Sequence, residues 1–393
     1  MLRKLTRRLC AASAIPLAAA LAAACTGGEE YVQTTFHPVS EYGLSLNRVF
    51  LNTFVWTMAI LVIVIVLVLV VIVRFRERPG QPPPKQIHGN TLMEIGWTLI
   101  PAAIVSFIAV PTVQTIFSTQ RPPVADALEI EVVGHQWWWE FRYPAEAVTT
   151  ANQFVIPVGR EVHLRLNSAD VIHSFWVPRI GGKRDVIPTI RAAEGENPRP
   201  NHLVFTVTEA GEFRGQCAEY CGEAHAIMAM YAEAVAPAEF DAWVASMRAL
   251  APAAAPTEAQ EQQQAAAVGA QVGAQAARAA APADSTPAGP LTLEDQGRQI
   301  FLGKLCTACH SIAGTTATGA LGPNLTRVGA RRTVGAGAAM MSVENLERWI
   351  RDPQSLKAGA LMPGAQNGGG GFPATGLTDE EIHAVAAYLF SLK

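Results

Sequence analysis

Two long stretches of the chain contain no charged side chain, residues 49–73 and 95–120. The first includes an unbroken aliphatic run over 61–73 and, at 1.5 Å per helical residue, spans about 37 Å, which exceeds the ~30 Å hydrocarbon core of a bilayer. The second contains Pro101 and Pro111, which membrane helices tolerate when neighbouring helices satisfy the freed carbonyls. A buried helix of a soluble domain is the alternative for the second stretch, but its length and lack of charge favour a span. The pattern predicts a transmembrane hairpin over 45–121, with helices at about 49–73 and 95–117.

The orientation of this hairpin follows from the basic residues between its spans. The connecting loop contains Arg74, Arg76, Arg78 and Lys85. The positive-inside rule places such a loop on the cytoplasmic side. We therefore expect a multi-pass protein of the bacterial cytoplasmic membrane, with residues 25–44 and everything after about residue 122 on the outer, periplasmic side.

The N-terminus has the layout of an export signal. Arg3 and Lys4 precede an apolar run, and small residues lead up to Cys25. This pattern predicts a signal peptide over 1–24. A lipoprotein signal would place a lipid on Cys25, although Leu21 lies one position upstream of its usual place and Ala22 stands there instead. An ordinary signal peptide followed by an incidental cysteine is the alternative.

Composition excludes two broad classes of protein. With 50% hydrophobic and only 16% charged residues, the chain cannot be wholly disordered. A net charge of −3 provides no basic field for phosphate backbones, so nucleic acid is not an expected partner.

The segment 122–250 has the pattern of an antiparallel β sandwich or barrel. Short β-rich runs alternate with Gly, Pro and Asn, at 128–133, 137–143, 153–156, 161–167 and 202–208. Residues 124–248 carry 17 acidic and 10 basic side chains. This excess either serves solvation or steers a basic partner, and charge count alone does not separate the two.

A compact set of soft metal ligands lies near the end of this segment. The run Cys217-Ala-Glu-Tyr-Cys221-Gly-Glu-Ala-His225-Ala-Ile-Met228 offers thiolates, an imidazole and a thioether, and His173 precedes it. Thiolates with imidazole and a weak axial Met suit copper, and two thiolates four residues apart can bridge two metals with one His for each. A tetrahedral zinc site of two Cys and two His is the structural alternative.

The C-terminal part contains a haem-attachment pattern after a low-complexity linker. Residues 251–290 include 17 Ala, 6 Gln and 5 Pro, which cannot bury a core, and as a flexible coil they would reach about 35 Å. Beyond them, Cys306-Thr-Ala-Cys309-His310 is the pattern of covalent haem c attachment. A redox Cys-x-x-Cys pair is the alternative, but the adjacent His and the exported location argue against it.

These residues resemble subunit II of haem-copper cytochrome c oxidases across roughly 40–248. The resemblance rests on the copper-ligand loop and on three motifs: Glu94-Ile-Gly-Trp97-Thr-Leu-Ile-Pro101, Gly134-His135-Gln136-Trp137-Trp138-Trp139 and His173-Ser-Phe-Trp-Val-Pro178. It implies a cupredoxin-like domain with a dinuclear CuA centre. Cys217 and Cys221 would bridge the coppers, His173 and His225 would ligate one each, and Met228 and the Glu219 carbonyl would be weak axial ligands. Quinol-oxidising relatives have lost these ligands, whereas every position is filled here.

The same resemblance suggests weaker roles for further residues. Trp137 is similar to the exposed aromatic that accepts electrons from cytochrome c, whereas Trp138 and Trp139 fit core packing equally well. The Glu219 carboxylate resembles one that binds Mg²⁺ at the interface with subunit I, and Asp185 matches an acid near that interface. Glu94 is similar to a carboxylate at a proton-path entrance, with a simple helix-end glutamate as the alternative.

Residues 291–393 resemble a class I cytochrome c, an all-α domain. His310 and Met362 match the haem-iron ligands, and Met362 lies in a Leu-Met-Pro context that Met340 and Met341 lack. Met–His ligation raises the haem potential. An amphipathic helix is predicted from about residue 378 to 391.

Together these features resemble subunit II of a caa3-type oxidase. The expected function is electron transfer from cytochrome c or a cytochrome c reductase through haem c and CuA to subunit I. That subunit, assembled with other oxidase subunits, would reduce O₂ to water with proton translocation; this chain has no O₂ site of its own. A CuA-containing nitric oxide reductase subunit and a non-enzymatic copper carrier or assembly factor are the alternatives.

Overall fold

A computed structural model describes residues 31–76, 79–80, 86, 88–188, 200–250 and 291–393. The predicted signal peptide 1–24, Cys25, the basic residues Arg78 and Lys85, and the linker 251–290 lie outside the described residues.

Two apolar helices form a hairpin, α1 (Glu41–Arg74) and α2 (Thr91–Thr119). Both are long and apolar enough to cross a membrane, and Trp56 stacks on Phe107 between them with ring centroids 6.0 Å apart. Each helix begins earlier than the hydrophobic pattern predicted, because the side chains of Ser40 and Asn90 cap the N-termini upstream of the apolar stretches.

One end of the hairpin is joined to the next domain by charged side chains. Arg121 lies 2.6 Å from Glu161 and 3.6 Å from Glu41, and the Glu41 carboxylate accepts a hydrogen bond of 2.7 Å from the backbone of Thr206. These contacts hold the strand-rich domain at one end of the helical pair.

The strand-rich domain is a sandwich of two five-stranded sheets with a cupredoxin-like mixture of parallel and antiparallel pairs. One sheet has the order β3-β2-β1-β5-β8 and the other β4-β10-β9-β6-β7, with β1–β5 and β4–β10 parallel. The strands are β1 (Leu128–His135), β2 (Trp138–Tyr143), β3 (Val148–Ala151), β4 (Gln153–Pro157), β5 (Glu161–Ser168), β6 (His173–Trp176), β7 (Arg184–Val186), β8 (Asn201–Thr206), β9 (Gly211–Cys217) and β10 (Ala229–Val235), followed by helix α3 (Pro237–Leu250).

Large aromatic side chains fill the space between the two sheets. Trp139, Phe141, Phe154, Phe175 and Phe213 are fully buried there. The sequence pattern missed β3, β6, β7, β9 and β10. Strands β3, β6 and β7 have only three or four residues, β9 contains Gly and Cys, and β10 is rich in Ala, so none of them shows the extended β-branched alternation that marks a strand.

The C-terminal domain is helical, as predicted. It comprises α4 (Leu293–Gly303), α5 (Cys306–Cys309), the short hairpin β11 (Thr333–Val334) and β12 (Ala339–Met340), α6 (Val343–Arg351), α7 (Pro353–Leu356) and α8 (Asp379–Ser391).

Helices α4 and α8 cross at close range. A Cβ at Gly297 would lie only 1.9 Å from the Ala384 carbonyl oxygen, so this crossing requires glycine. Thr378 and Glu381 form a reciprocal capping box that fixes the start of α8 where the sequence predicted it.

Candidate metal centre and cofactor cavity

The soft ligands converge because the sheet aligns them. Cys217 ends β9, and residues 218–228 form a loop that returns into β10. Strand β6 pairs with β9, with Phe175 opposite Cys217, which brings His173 at the start of β6 beside the loop. Ligands that are 44 positions apart in sequence thereby meet at one end of the sandwich.

The thiols and imidazoles form a tight cluster. The sulfurs of Cys217 and Cys221 are 3.8 Å apart. Nδ1 of His173 lies 3.8 Å from the Cys217 sulfur, and Nδ1 of His225 lies 3.5 Å from the Cys221 sulfur. Each sulfur therefore has an imidazole nitrogen beside it. This is the donor arrangement that two bridged metal ions require.

Two weaker donors lie beside the cluster, one near each sulfur. Sδ of Met228 lies 3.8 Å from the Cys221 sulfur, and the carbonyl oxygen of Glu219 lies 3.2 Å from the Cys217 sulfur. A structural zinc site is complete with four thiolate or imidazole ligands and does not need a thioether. Copper electron-transfer sites combine strong thiolate and imidazole ligands with weak axial ones. The full donor set therefore favours copper over the zinc alternative.

Asp170 orients His173, although the sequence pattern by itself did not mark this residue as functional. Its carboxylate lies 2.9 Å from His173 Nε2 and accepts a 2.6 Å hydrogen bond from the backbone N–H of Gln136. Nε2–H pointing to a carboxylate leaves Nδ1 facing the sulfurs, a common outer-shell arrangement at metal-binding histidines. An acidic residue three positions before a ligand histidine was the available signal.

Electrostatics in the cluster suit metal binding. The hydrogen bond from the Cys221 thiol, helped by His173, holds the pKa of Cys217 far below its usual range, while the same pairing raises the pKa of Cys221. The pairing therefore favours the thiolate form of Cys217. Burial by itself lowers the pKa of His173, but hydrogen bonds with Asp170 and Cys217 outweigh that effect and raise it. Metal binding would displace these few protons.

Trp137 is fixed against the metal-ligand loop. Its indole Nε1 and the side-chain amide of Gln136 donate hydrogen bonds of 3.0 and 2.8 Å to the carbonyl of Cys221. Gly222, at φ +116°, follows this carbonyl, and a Cβ there would lie 2.9 Å from the Trp137 ring. The close approach of indole and loop depends on that glycine.

The helical domain encloses a cavity of about 510 Å³ around the Cys-x-x-Cys-His motif. Cys306, Cys309 and His310 line its wall together with mostly apolar side chains. His310 Nδ1 lies 2.9 Å from the Pro323 carbonyl, which fixes it as the donor and leaves Nε2 able to bind iron. Burial lowers the pKa of His310 and keeps the ring neutral. The cavity size is within the usual range for cofactor pockets.

Two methionines, not one, reach this cavity. Met362 and Met341 both line it, whereas Met340 is 59% exposed. Gln354 donates hydrogen bonds to the carbonyls of Ala360 (2.9 Å) and Met362 (3.1 Å) and so fixes the loop that carries Met362. The buried guanidinium of Arg331 also lines the cavity and would suit an acidic edge of a bound group.

The strand-rich domain, which carries the metal-ligand loop and is called the copper-ligand domain below, closes one side of the same cavity. Gln136, Trp137, Trp138 and Asn152 are among its lining residues. Trp138 stacks on His135 with centroids 4.1 Å apart, while Trp139 is fully buried in the sandwich core. Trp137 and Trp138 therefore contribute to the cavity wall, whereas Trp139 packs in the core.

Comparison with known proteins agrees with all three parts of the chain. The oxidase subunit II transmembrane domain family matches residues 33–115, and its periplasmic domain family matches residues 145–235. The cytochrome c family matches residues 294–393. Cytochrome c oxidase subunit 2 of Alkalihalophilus pseudofirmus is 37% identical over 326 residues, which cover 81% of this chain and 79% of that protein. The chain belongs to the cytochrome c oxidase subunit II family.

Two further oxidase subunits II are similar to this chain or to a part of it. The protein of Bacillus sp. strain PS3 is 32% identical, with 81% of this chain and 80% of the relative covered. The crystal structure of the periplasmic domain of subunit II of cytochrome oxidase from Bradyrhizobium japonicum is 32% identical, covers 33% of this chain and 97% of its own, and has a TM-score of 0.29. Membership in the oxidase subunit II family implies copper, the cytochrome c domain implies haem, and the helices imply a membrane anchor.

The remaining predicted residues lie apart from the metal cluster or at its edge. Glu94, in the first turn of α2, accepts a 3.3 Å hydrogen bond from the backbone of Asn90 and so acts at least as a helix cap. The Glu219 carboxylate lies 3.6 Å from Lys183 Nζ. Asp185 is exposed on β7.

Proposed function

We propose that this chain is the electron-entry subunit of a caa3-type cytochrome c oxidase. It would receive electrons at residues 291–393, pass them through the cluster around Cys217 and Cys221, and deliver them to subunit I. Subunit I would reduce O₂ to water and translocate protons. The observation that carries this proposal is the cavity shared by the Cys-x-x-Cys-His motif and Trp137, which itself contacts the metal-ligand loop.

The described residues would hold two redox groups. Cys306 and Cys309 would form thioethers to haem c, with His310 and Met362 as iron ligands. Two coppers would be held by the thiolates of Cys217 and Cys221 and by the imidazoles of His173 and His225, with the Met228 thioether and the Glu219 carbonyl as weaker donors. When bound, these groups supply one-electron chemistry without breaking bonds.

The protein's own task is to keep these sites rigid and dry. His173, Met228 and both cysteines are buried, and Asp170 and the paired strands hold the ligands in place. A rigid, water-poor site changes geometry little between charge states, and this favours rapid electron transfer.

We also propose a membrane topology and roles for Glu219, Asp185 and Glu94. Both large domains would lie on the periplasmic side, with the chain crossing the membrane twice. Mg²⁺ at the interface with subunit I would have to displace Lys183 from the Glu219 carboxylate. Asp185, on the exposed strand β7, would lie near the same interface. Glu94 would lie at the entrance of a proton path.

Deletion of residues 291–393 from the assembled complex tests the electron route. We expect a large loss of O₂ consumption with the native donor, poorly restored by micromolar free haem domain, because a tether supplies an effective concentration of order millimolar. Turnover equal to that of the intact complex would show that electrons enter elsewhere. Reduction of NO without O₂ consumption by the intact complex would favour a nitric oxide reductase.

A further inference from the structure

Lys357 lies buried between the two large domains. It follows α7, is only 3% exposed, and its Nζ donates hydrogen bonds to the carbonyls of Trp137 (2.6 Å) and Gly335 (2.9 Å). Lysine is almost never fully buried unless its charge is paired or hydrogen-bonded. One carbonyl belongs to the copper-ligand domain and the other to the helical domain, so this side chain joins them.

A second side-chain contact lies at the rim of the same interface. The Arg332 guanidinium lies 2.6 Å from the Glu212 carboxylate. The backbone N–H of Arg332 donates a 3.2 Å hydrogen bond to the side-chain oxygen of Gln153. Nearby, the backbone N–H of Ala229 donates to the Ala336 carbonyl at 2.8 Å. Strands β4, β9 and β10 therefore all contribute to the surface on which the helical domain sits.

The contact at Lys357 lies on a short path between the two candidate redox sites. From the carbonyl of Cys221, a 3.0 Å hydrogen bond leads to the Trp137 indole, and a 2.6 Å hydrogen bond leads from the Trp137 carbonyl to Lys357. Gly335, the other partner of Lys357, lines the cavity around the Cys-x-x-Cys-His motif. Electronic coupling through bonds and hydrogen bonds exceeds coupling across open space, so this arrangement suits electron transfer.

We propose that Lys357 and the Arg332–Glu212 pair lock residues 291–393 onto the copper-ligand domain in one transfer-competent position. This inference rests on the proposed function. The linker then only keeps the helical domain close to its binding surface. The electron is transferred within a fixed complex of the two domains, not during brief encounters between them. Lys357 is a positioning residue. A separate electron donor binds the helical domain and not Trp137, because the helical domain covers Trp137.

The test measures haem-to-copper transfer in the intact membrane complex after flash photoreduction of the haem. Every variant is first checked for full haem and copper content and an unchanged haem spectrum and potential. Lys357→Met should slow the transfer at least tenfold. Lys393→Met removes the same charge from an exposed site in the same domain and should leave the rate unchanged. A rate within twofold of the unmodified complex for Lys357→Met would overturn the role of Lys357.

A charge exchange tests the rim and remains informative if Lys357→Met fails to fold. Arg332→Glu should slow transfer because two carboxylates would then face each other. Adding Glu212→Arg should restore most of the rate, which damage within either domain would not allow. Absence of restoration would overturn the proposed role of this pair.

Linker length separates a locked complex from a tethered, diffusing domain. Doubling the segment 251–290 lowers the effective concentration about threefold, from its −3/2 power dependence on length. The locked complex should show no change in rate, whereas Lys357→Met should become sensitive to the insertion. A threefold fall in the unmodified complex would contradict locking. Absence of any haem-to-copper transfer in the unmodified complex would instead contradict the proposed function.

Discussion

The indole Nε1 of Trp137 donates a 3.0 Å hydrogen bond to the carbonyl oxygen of Cys221, one of the two clustered thiols. This bond ties the aromatic residue at the mouth of the helical domain's cavity to the backbone of the metal-ligand loop. The two features that the sequence marked separately, a tryptophan run and a cysteine loop, thus form one structural unit.

We expect two coppers per chain, because the paired sulfurs of Cys217 and Cys221 each have one imidazole beside them. Metal analysis and electron paramagnetic resonance of the purified complex measure this, after allowance for copper bound by subunit I. Cys217→Ser should abolish the mixed-valence signal while the haem stays covalently attached. One zinc per chain without a copper signal from this domain would contradict the dinuclear site.

Asp170→Asn should weaken copper binding by about 10–100-fold, as is usual when an outer-shell partner of a ligand histidine is lost. The amide removes a charge from beside His173, and its single oxygen cannot replace both carboxylate oxygens, which accept hydrogen bonds from His173, Gln136 and Val171. Competition with a copper chelator measures the affinity. Asp185 is an exposed acid on β7, the strand that pairs with the His173 strand β6. Asp185→Asn is therefore the matched control and should bind copper normally. Equal affinities for the two variants would rule out orientation by Asp170.

Met362→Ala should leave haem covalently bound but remove the weak sulfur-to-iron absorption at the red end of the spectrum. Attachment depends on Cys306 and Cys309, whereas this band depends on the distal thioether. Met341→Ala is the sharp control, because Met341 lines the same cavity. A band that persists in the first variant and disappears in the second would make Met341 the ligand.

Glu140 should make the strand-rich domain sensitive to acid. Although burial alone raises the pKa of this carboxyl, hydrogen bonds and charges from His135 and Arg142 lower it to about 2. A lowered pKa in the folded state stabilises the fold above the carboxyl's usual pKa of 4.5, and this contribution is lost as the pH falls toward 2. We expect a loss of roughly 1–3 kcal/mol over this range.

Denaturant unfolding of the metal-free domain between pH 5 and 2 measures that loss. Glu140→Gln should flatten the pH dependence, whereas Asp126→Asn, an exposed acid, should not. Parallel pH profiles for Glu140→Gln and the unmodified domain would show that acid acts at other groups.

Much of the architecture follows from the sequence by itself. An uncharged stretch long enough for a bilayer has few alternatives to a membrane helix, so both helices of the hairpin were predicted and only their capped ends differed. The Cys-x-x-Cys-His motif is local, because its two cysteines and its histidine are neighbours along the chain. Helix α8 also begins where its capping box lies in the sequence. In each case the controlling interactions connect residues that are close along the chain.

Contacts between distant residues required the tertiary structure. Strands β6 and β9 have weak patterns of their own, and only their pairing brings His173 to Cys217. Asp170 gains its significance from the orientation of one imidazole ring. Lys357 lies 220 positions from Trp137, and nothing in its local sequence marks it for burial. Local patterns report short-range hydrogen bonding and hydrophobicity, whereas docking of one domain on another depends on how complete surfaces fit together.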